Sequence, residues 1–291
     1  MVKAGLILAT VLAIAAASPA AAQSFREGGK LLLTDGVSNV EGAAGGGLAT
    51  WAVIAGEETN DGIGASVHAT YVPLDDYALT SFGAAVGIKD RIELSYAHQT
   101  FDTQDVGAAL GLGRGFTFKQ DVFGAKLRLF GDAVYDQDSG LPQVSVGVQY
   151  KHAARDPIIH AIGGQHDSGT DFYVAASKLL LRQSLVLDGT VRFTKANQFG
   201  LLGFGGDKSD RYSAQFEGSA ALLLSRHLAT GAEYRTKPDN LGFAQEDDSY
   251  DLFAAWAPVH HLTFTAAYVD LGDIATVKAQ HGAFLSVQAS Y

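Results

Sequence analysis

The 291-residue chain has no cysteine, one methionine and only six prolines, and its charged residues amount to 18%, against about 25% in a typical soluble domain. The lack of cysteine excludes a disulfide scaffold and a cysteine-ligated metal site. Lysine and arginine number 21 against 31 acidic residues, which excludes nucleic acid as a partner because phosphate binding needs a basic surplus. Glycine is abundant instead, with 34 residues.

The chain also lacks a long apolar run, apart from an N-terminal segment typical of an export signal. Lys3 is followed by thirteen uncharged, mostly apolar residues over 5–17, and then by Ala20-x-Ala22. This pattern predicts that residues 1–22 are a signal peptide cleaved between Ala22 and Gln23, and that 23–291 is the mature domain. No later segment reaches the 18 apolar residues of a membrane-spanning helix, so only a closed β-barrel could cross a bilayer.

Hydrophobicity alternates with period two along most of the mature chain. In 184–195, for example, Leu185, Leu187, Val191 and Phe193 fall on one face of an extended strand. A helix would need apolar residues at i, i+3 and i+4, and these windows lack them. The pattern predicts strands near 28–34, 47–56, 62–72, 77–88, 91–101, 118–130, 142–152, 169–180, 184–196, 210–224, 228–237, 248–257, 261–270 and 280–291.

These strands predict an all-β fold, a transmembrane antiparallel up-and-down barrel of about fourteen strands. Twelve is the fallback number, because the strand at 28–34 is short and weak and the face assignment of 47–56 and 169–180 is ambiguous. Most strands reach the roughly 9–11 residues that cross a bilayer, and all five prolines of the mature chain lie between strands or at a strand start. Short and long connections alternate as in outer-membrane barrels. Two connections break the rule, the short 73–76 and the long 131–141.

Aromatic residues mark the predicted strand ends. Tyr291 ends the chain on the apolar face of the last strand, which is typical of the signal read by the outer-membrane assembly machinery. We therefore expect two partners, outer-membrane lipid and that machinery, and a location in the outer membrane of a Gram-negative bacterium. A soluble, exported β-sandwich would show the same alternation with its apolar face inside. Nine tyrosines next to the long connections predict an aromatic girdle: Tyr71, Tyr77, Tyr96, Tyr150, Tyr173, Tyr212, Tyr234, Tyr250 and Tyr268.

Several segments resemble an uncharacterised family of Gram-negative outer-membrane proteins, domain of unknown function 3034. The resemblance extends over nearly the whole mature chain and implies the same barrel and location. It implies no activity, ligand or catalytic residue. The segments that carry it are GVSNVEGAAGGGL (36–48), DVGAALGLGRGFTF (105–118), DAVYDQDSGLPQ (132–143), KANQFGLLGFGGD (195–207) and EYRTKPDNLGFAQEDDSYDLF (233–253).

Charged residues of both signs are predicted on the lumen face of the barrel. Such a wall could line a weakly selective aqueous path. The alternative is that these residues pair across strands and brace the barrel, at about 0.2–1 kcal/mol per pair. The candidates are Arg91, Glu93, Lys126, Arg128, Lys151, Asp188, Arg192, Arg211, Glu217, Glu233, Arg235 and Asp251.

The long loops are rich in glycine and apolar residues, whereas exposed loops are normally polar. Apolar loops at a barrel mouth predict inward folding, as a gate or a binding site for an apolar solute. The alternative is loop-on-loop packing that only closes the mouth. The gate or plug candidates are Leu110, Leu112, Phe116, Phe199, Leu201, Leu202 and Phe204.

No catalytic motif is recognisable, so we expect no enzyme, no cofactor and no metal site. The sequence has neither a GxSxG elbow nor HExxH spacing, and His160, His166 and Asp167 share one loop without a known pattern. The favoured function is a passive channel for small solutes, apolar ones included, gated by the glycine-rich loops. The alternatives are a structural or surface-interaction barrel with a plugged lumen and, less favoured, an outer-membrane hydrolase.

Overall fold

The computed structural model describes residues 30–154 and 156–291 and contains a closed barrel of twelve strands. The barrel is all-β and antiparallel, and the fallback number of twelve is confirmed. The predicted signal peptide lies outside the described residues. The wall strands are β3 (Ile63–Pro73), β4 (Ala78–Ile88), β5 (Ile92–Asp102), β6 (Thr117–Phe130), β7 (Gln143–Ala153), β8 (Ser168–Leu180), β9 (Leu185–Thr194), β10 (Ser213–Ser225), β11 (Leu228–Arg235), β12 (Ser249–Val259), β13 (Leu262–Asp270) and β14 (His281–Ser290).

Each wall strand pairs with its sequence neighbours, and β14 closes the barrel against β3. The closing ladder runs from Leu285↔Tyr71 to Ser290↔Ser66. Closure leaves no strand edge with unpaired backbone groups, which is the condition for crossing hydrocarbon. The period-two pattern placed all twelve wall strands, because alternation persists wherever one face meets lipid and the other the lumen.

Side chains alternate strictly between the two faces of the wall. In β9, Leu187, Val191 and Phe193 are exposed on the outside, while Thr190 and Arg192 are buried inside. The large exposed hydrophobic residues lie on nearly every wall strand. Apolar side chains outside and polar ones inside are typical of a barrel surrounded by lipid. A soluble sandwich would bury its apolar side chains and expose its polar ones.

Among the described residues, no helix is both long and apolar enough to span a membrane.

A continuous buried segment, residues 33–56, fills the lumen, and we call it the plug. It contains a short hairpin of β1 (Val37–Ser38) and β2 (Ala44–Gly45), which form a two-stranded sheet separate from the barrel. The prediction of wall strands at 28–34 and 47–56 was therefore wrong for the residues that the structure describes. A twelve-stranded barrel leaves internal space that the side chains of its wall do not fill, and this small-residue segment occupies it.

The two ends of the barrel differ. At one end, the short-turn end, β4–β5, β8–β9, β10–β11 and β12–β13 are joined by tight connections, and the long exception 131–142 is found there too. At the other, the long-loop end, the connections carry two short helices, α1 (Gln104–Ala109) and α2 (Asp156–Ala161). The plug fills the lumen between these two ends.

Two of the predicted girdle tyrosines were assigned to the wrong face. Tyr77 and Tyr173 are each only 2% exposed and point inward, whereas the other seven lie at the outer surface. Tyr173 fits inside because Gly147 opposite leaves room, since a Cβ there would stand 2.3 Å from the tyrosine ring. Tyr77 lies in the β3–β4 turn, where alternation no longer fixes a face.

Candidate functional site

Nine of the twelve charged lumen candidates are buried inside the barrel. Arg91 and Arg211 are exposed in connections rather than in strands, and Arg128 lies at the short-turn rim, where it pairs with Asp90 and Asp132. Sequence alternation misplaced Arg91 and Arg211 because they lie beyond strand ends. The nine buried residues are Glu93, Lys126, Lys151, Asp188, Arg192, Glu217, Glu233, Arg235 and Asp251.

Three wall cations form a cradle around one carboxylate of the plug. Lys151 on β7, Arg192 on β9 and Arg235 on β11 face Glu41, which is fully buried. The Glu41 Oε2 atom lies 3.1 Å from Arg235 Nη2 and 3.7 Å from Arg192 Nη2, and Lys151 Nζ donates to Glu41 Oε1. We call Lys151, Arg192 and Arg235 the cradle. Glu41 was missed by sequence reasoning, which placed it in a loop outside the wall.

Two wall acids complete the balance of charge around the cradle. Asp171 Oδ2 lies 2.7 Å from Lys151 Nζ and 3.4 Å from Arg192 Nη1. Glu217 Oε1 accepts from Arg192 Nε and lies 3.4 Å from Arg235 Nε. Three cations therefore face three anions, of which Glu41 alone belongs to the plug. Buried charges need such compensation because desolvation of each ion costs several kcal/mol.

The rest of the plug is held through its backbone. Glu233 accepts from Leu48 N at 2.7 Å, and Lys126 Nζ donates to Val53 O at 2.8 Å. At the turn of the plug, a Cβ on Gly46 would stand 1.9 Å from Glu233 Oε1, so a larger residue would displace the carboxylate that binds Leu48 N. Further contacts of this kind join Thr50 N to Glu217, Ala55 N to Glu93, Ala52 O to Gln143 and Ser145, and Thr50 O to Thr190.

The short-turn end is sealed by apolar packing. Leu33, Trp51 and Val53 of the plug belong to one buried cluster with Ala133 and Val134 of the long connection 131–142. This connection is fixed by Lys178 Nζ, which donates to Leu141 O at 3.0 Å, and by Gln137 Nε2, which donates to Leu179 O at 3.0 Å. The exceptional length of 131–142 is explained by this seal.

An apolar cavity lies at the long-loop end, above the tip of the plug. It encloses about 900 Å³, its open mouth included. The floor consists of Val40 and Leu48 of the plug, and the sides come from inward-facing strand residues. The wall and loop residues that line it include Val72, Leu79, Phe101, Phe118, Val269, Phe284, Ile158, Ile162, Phe243, Leu271 and Ile274.

Five of the seven gate candidates line this cavity, namely Leu110, Leu112, Phe199, Leu201 and Leu202. Phe116 packs beside it against the same apolar cluster. Phe204 is fully buried elsewhere, where it stacks over Gly169 and pairs by a backbone bridge with His166. Sequence reasoning found the loop half of the cavity and missed the plug half, because Val40 and Leu48 were assigned to a loop and a wall strand.

Phe199 separates the apolar cavity from the cradle. It lines both the apolar cavity and a smaller polar cavity of about 230 Å³ that Lys151, Arg192 and Arg235 also line. The Arg235 guanidinium lies 4.3 Å from the Phe199 ring centroid, a cation–π distance. Gln198 and Phe199 have φ of 45° and 59°, a left-handed backbone that costs a non-glycine residue about 1 kcal/mol or more.

A second buried ion pair, Lys237 with Glu246, lies in the β11–β12 loop, and Lys237 also lines the smaller polar cavity. Lys237 Nζ lies 3.5 Å from Glu246 Oε2 and donates to Leu271 O at 2.7 Å. Burial raises the pKa of Glu246 to about 7, although Lys237 opposes the rise. Burial likewise lowers the pKa of Lys237, against the attraction of Glu246. The Glu246 carboxyl therefore changes charge close to neutral pH.

His160, His166 and Asp167, which share one loop, contact different neighbours. His160 Nδ1 contacts Gly164 O at 3.0 Å, and His166 Nε2 lies 3.6 Å from Asp210 Oδ2. Asp167 accepts from Ser168 Oγ at 3.0 Å. Within the ranges that the structure describes, no group of three or more His, Cys, Asp or Glu is placed to hold a metal ion.

The profile of the family described as "Protein of unknown function (DUF3034)" matches residues 34–288. Among curated proteins, none matches this sequence.

Two solved structures share the architecture. The KdgM porin superposes with a TM-score of 0.51 at 8% identity, covering 78% of this chain and 99% of the porin. The NanC porin superposes with a TM-score of 0.50 at 10% identity, covering 77% of this chain and 98% of that porin. Outer membrane phospholipase A from Escherichia coli matches at only 0.43, with 8% identity, covering 78% of this chain and 92% of the phospholipase. At these identities the likeness to the two porins concerns the fold alone: the chain has a porin-like barrel.

Proposed function

The chain belongs to the DUF3034 family, and we propose that its barrel is a plugged outer-membrane channel for small apolar solutes, taken up at the long-loop end. The observation that carries the proposal is the apolar cavity, because a mouth lined by leucine and phenylalanine with almost no polar group suits an apolar ligand. A channel for sugars or ions would present polar groups there. The long-loop end then faces the cell exterior and the short-turn end the periplasm.

We propose two barriers rather than one. The glycine-rich loops roof the cavity, and the plug blocks the lumen beneath it. The plug is held to the wall by polar contacts, through its backbone and through Glu41, and also by apolar packing of Leu33, Val37, Trp51 and Val53. We propose that it can be withdrawn because its polar groups can exchange their wall partners for water.

The same buried ion pairs also favour the second candidate function, a structural or surface-interaction barrel that stays plugged. In that case the cavity is only a by-product of loop packing. The two functions differ in whether removal of the plug creates a water-filled path and in whether the cavity takes a ligand.

Single-channel conductance in a planar bilayer tests the channel. The two ends of the plug lie side by side, since Lys30 N donates to Glu57 O at 2.7 Å, so residues 33–56 can be deleted without stretching the chain. We expect the intact protein to be closed, the variant lacking 33–56 to conduct, and the variant lacking only 198–206 to stay closed. Circular dichroism first establishes that each variant is folded. If the variant lacking 33–56 is folded but does not conduct, the channel function is contradicted.

Binding of naphthalene to the protein in lipid nanodiscs tests the cavity. Leu202→Gln places an amide in the apolar lining, and Leu141→Gln makes the same change at an exposed position of the short-turn end. We expect saturable binding in the native protein, a loss of tenfold or more in Leu202→Gln, and no change in Leu141→Gln. Equal binding by the two variants would exclude the cavity as the site.

We also propose that the assembly machinery of the outer membrane reads β14 together with Tyr291. In the finished barrel the Tyr291 ring stacks on His261 at 4.6 Å, and its backbone carbonyl accepts from Glu57 N and Ala65 N. If the machinery recognises Tyr291, Tyr291→Ala should lower the yield of barrel inserted into the outer membrane of cells more than the yield of barrel refolded into vesicles without the machinery. An equal loss in both assays would leave only the structural contacts.

A further inference from the structure

We propose that the cradle of Lys151, Arg192 and Arg235 is a carboxylate-binding site, which the plug's Glu41 occupies at rest and the carboxylate of an apolar organic acid occupies when the channel opens. This inference rests on the proposed function and names its substrate class. The solute would place its apolar body in the cavity and its carboxylate on the cradle.

The charge balance between the cradle and the two wall acids beside it, Asp171 and Glu217, favours an anion at this position. With Glu41 in place, three wall and plug acids face three cations, and all six side chains are at most 3% exposed. If the plug leaves, Asp171 and Glu217 remain against three cations, a net charge of +1. A buried cation that loses its partner is destabilised. A replacement carboxylate removes that penalty, and a neutral molecule does not.

Glu41 is also held in a way that permits exchange. Its Oε1 atom accepts from Lys151, but its Oε2 atom has no hydrogen-bond donor among the described residues and is held by the charges of Arg235 and Arg192. Arginine guanidinium groups suit carboxylates because two N–H groups can engage both oxygens. A free carboxylate can adopt that geometry, whereas Glu41 is restricted by its backbone.

The cradle and the apolar cavity are neighbours. Val40, next to Glu41 in the chain, forms the cavity floor, and Phe199 lines both spaces. Movement of the Phe199 ring would join the two spaces into one site, apolar above and cationic below. The strained backbone of Gln198 and Phe199 favours such a movement because release of the turn lowers its conformational energy. The joined site matches a molecule with an apolar body and one negative head.

The experiment compares 2-naphthoate with the neutral 2-naphthamide, which has nearly the same shape. The full chain carries Ser38→Cys in the plug as its single cysteine; Ser38 is 3% exposed. The protein is reconstituted in vesicles, and the rate of labelling by a membrane-impermeant maleimide reports withdrawal of the plug. We expect both probes to bind, and only 2-naphthoate to speed labelling, by about tenfold or more.

Two plug variants serve as a matched pair in the same Ser38→Cys background. Glu41→Gln removes the competing carboxylate, so 2-naphthoate should bind about tenfold more tightly and labelling without ligand should rise. Asp35→Asn neutralises the other acid of the plug, which is also buried but faces Lys30 instead of the cradle, and should leave naphthoate affinity unchanged. The comparison of the two probes in the parent protein does not depend on either variant folding.

The outcomes separate the two proposals. If both probes bind equally and alter labelling to the same extent, the carboxylate site is wrong while the apolar channel stands. If neither probe binds, the apolar channel fails and the carboxylate site fails with it. If Asp35→Asn changes naphthoate affinity as much as Glu41→Gln, the effect is one of general plug stability and the cradle is not the site.

Discussion

At the scale of single residues, the lumen is governed by ion pairs that cross from wall to plug. The sequence predicted which wall residues face inward, because period two fixes the face of every residue within a strand. It could not predict their partners. Glu41 is the only charged residue between Gly36 and Gly56, and that isolated acid in an otherwise uncharged segment was the one available signal.

Arg192 offers a sharp test of whether these pairs stabilise the fold. Arg192→Glu would place a fourth acid beside Glu41, Asp171 and Glu217, so we expect the free energy of unfolding to fall by about 3–5 kcal/mol or more. Arg211→Glu makes the same charge change at an exposed position and should leave stability within about 0.5 kcal/mol. Urea titration in detergent, followed by tryptophan fluorescence, measures both. Equal stability of the two variants would show that the lumen charges are well hydrated.

Glu246 should make the long-loop end sensitive to pH. Because burial raises its pKa from 4.5 to about 7, the folded loop binds a proton that the unfolded loop has released between these two values. The stability of the loop therefore falls as pH rises from about 4.5 through 7. Lys237 faces Glu246, and Asp239 lies near enough to add to the rise.

Hydrogen exchange of the 236–248 amides, corrected for the intrinsic pH dependence, measures this effect. We expect protection to decrease from pH 5 to pH 7.5 in the native protein, and Glu246→Gln to remove the decrease. A decrease of the same size in Glu246→Gln would assign the pH dependence to another group.

At the scale of elements, the plug shows why the strand count from sequence exceeded the observed one. Residues 47–56 contain apolar residues at strand-like spacing, and local sequence does not distinguish a wall strand from a chain that lies inside the wall. The deciding quantity is the space within a barrel of twelve strands, which depends on all strands at once. Connection 131–142 likewise broke the length rule because it packs against the plug.

A disulfide between plug and wall should lock the channel. Ala52 N lies 2.7 Å from Ser177 Oγ, so cysteines at these two positions are close enough to cross-link, and the chain has no native cysteine to interfere. We expect vesicles with the oxidised Ala52→Cys, Ser177→Cys double variant to take up no 2-naphthoate, and a reductant to restore the uptake. Ser177→Cys alone is the control. Uptake by the oxidised double variant would place the solute path outside the plugged lumen.

At the scale of the whole molecule, the barrel is stabilised by two opposite environments, lipid outside and an ionic lumen inside. The alternation in the sequence encodes both, and for this reason the positions and order of the wall strands were predictable, although the predicted total of about fourteen was too high. The apolar cavity was predictable only in part, since it is built from loops, strand ends and the plug, which meet only in the closed barrel.

The outer surface gives a prediction at this scale. Val191 is 43% exposed near the middle of β9 and faces outward, so Val191→Arg would place a charge near the centre of the bilayer. Unfolding from phospholipid vesicles should become easier by about 2–4 kcal/mol. Leu141→Arg, in an exposed connection, should have no effect. If Val191→Arg were equally neutral, the outer face would not be in contact with lipid.

The plug remains tethered when it leaves the lumen, because Lys30 and Glu57 at its two ends lie together at the short-turn mouth. A tethered segment returns to its site as an intramolecular reaction, with an effective concentration in the millimolar range for a short flexible linker. A solute that competes with the plug therefore competes with the Glu41 carboxylate at an effective concentration in the millimolar range. The plug returns to the lumen once the solute has left the cradle. Such a barrel would admit molecules in brief, separate opening events and would not form a continuously open pore in the membrane.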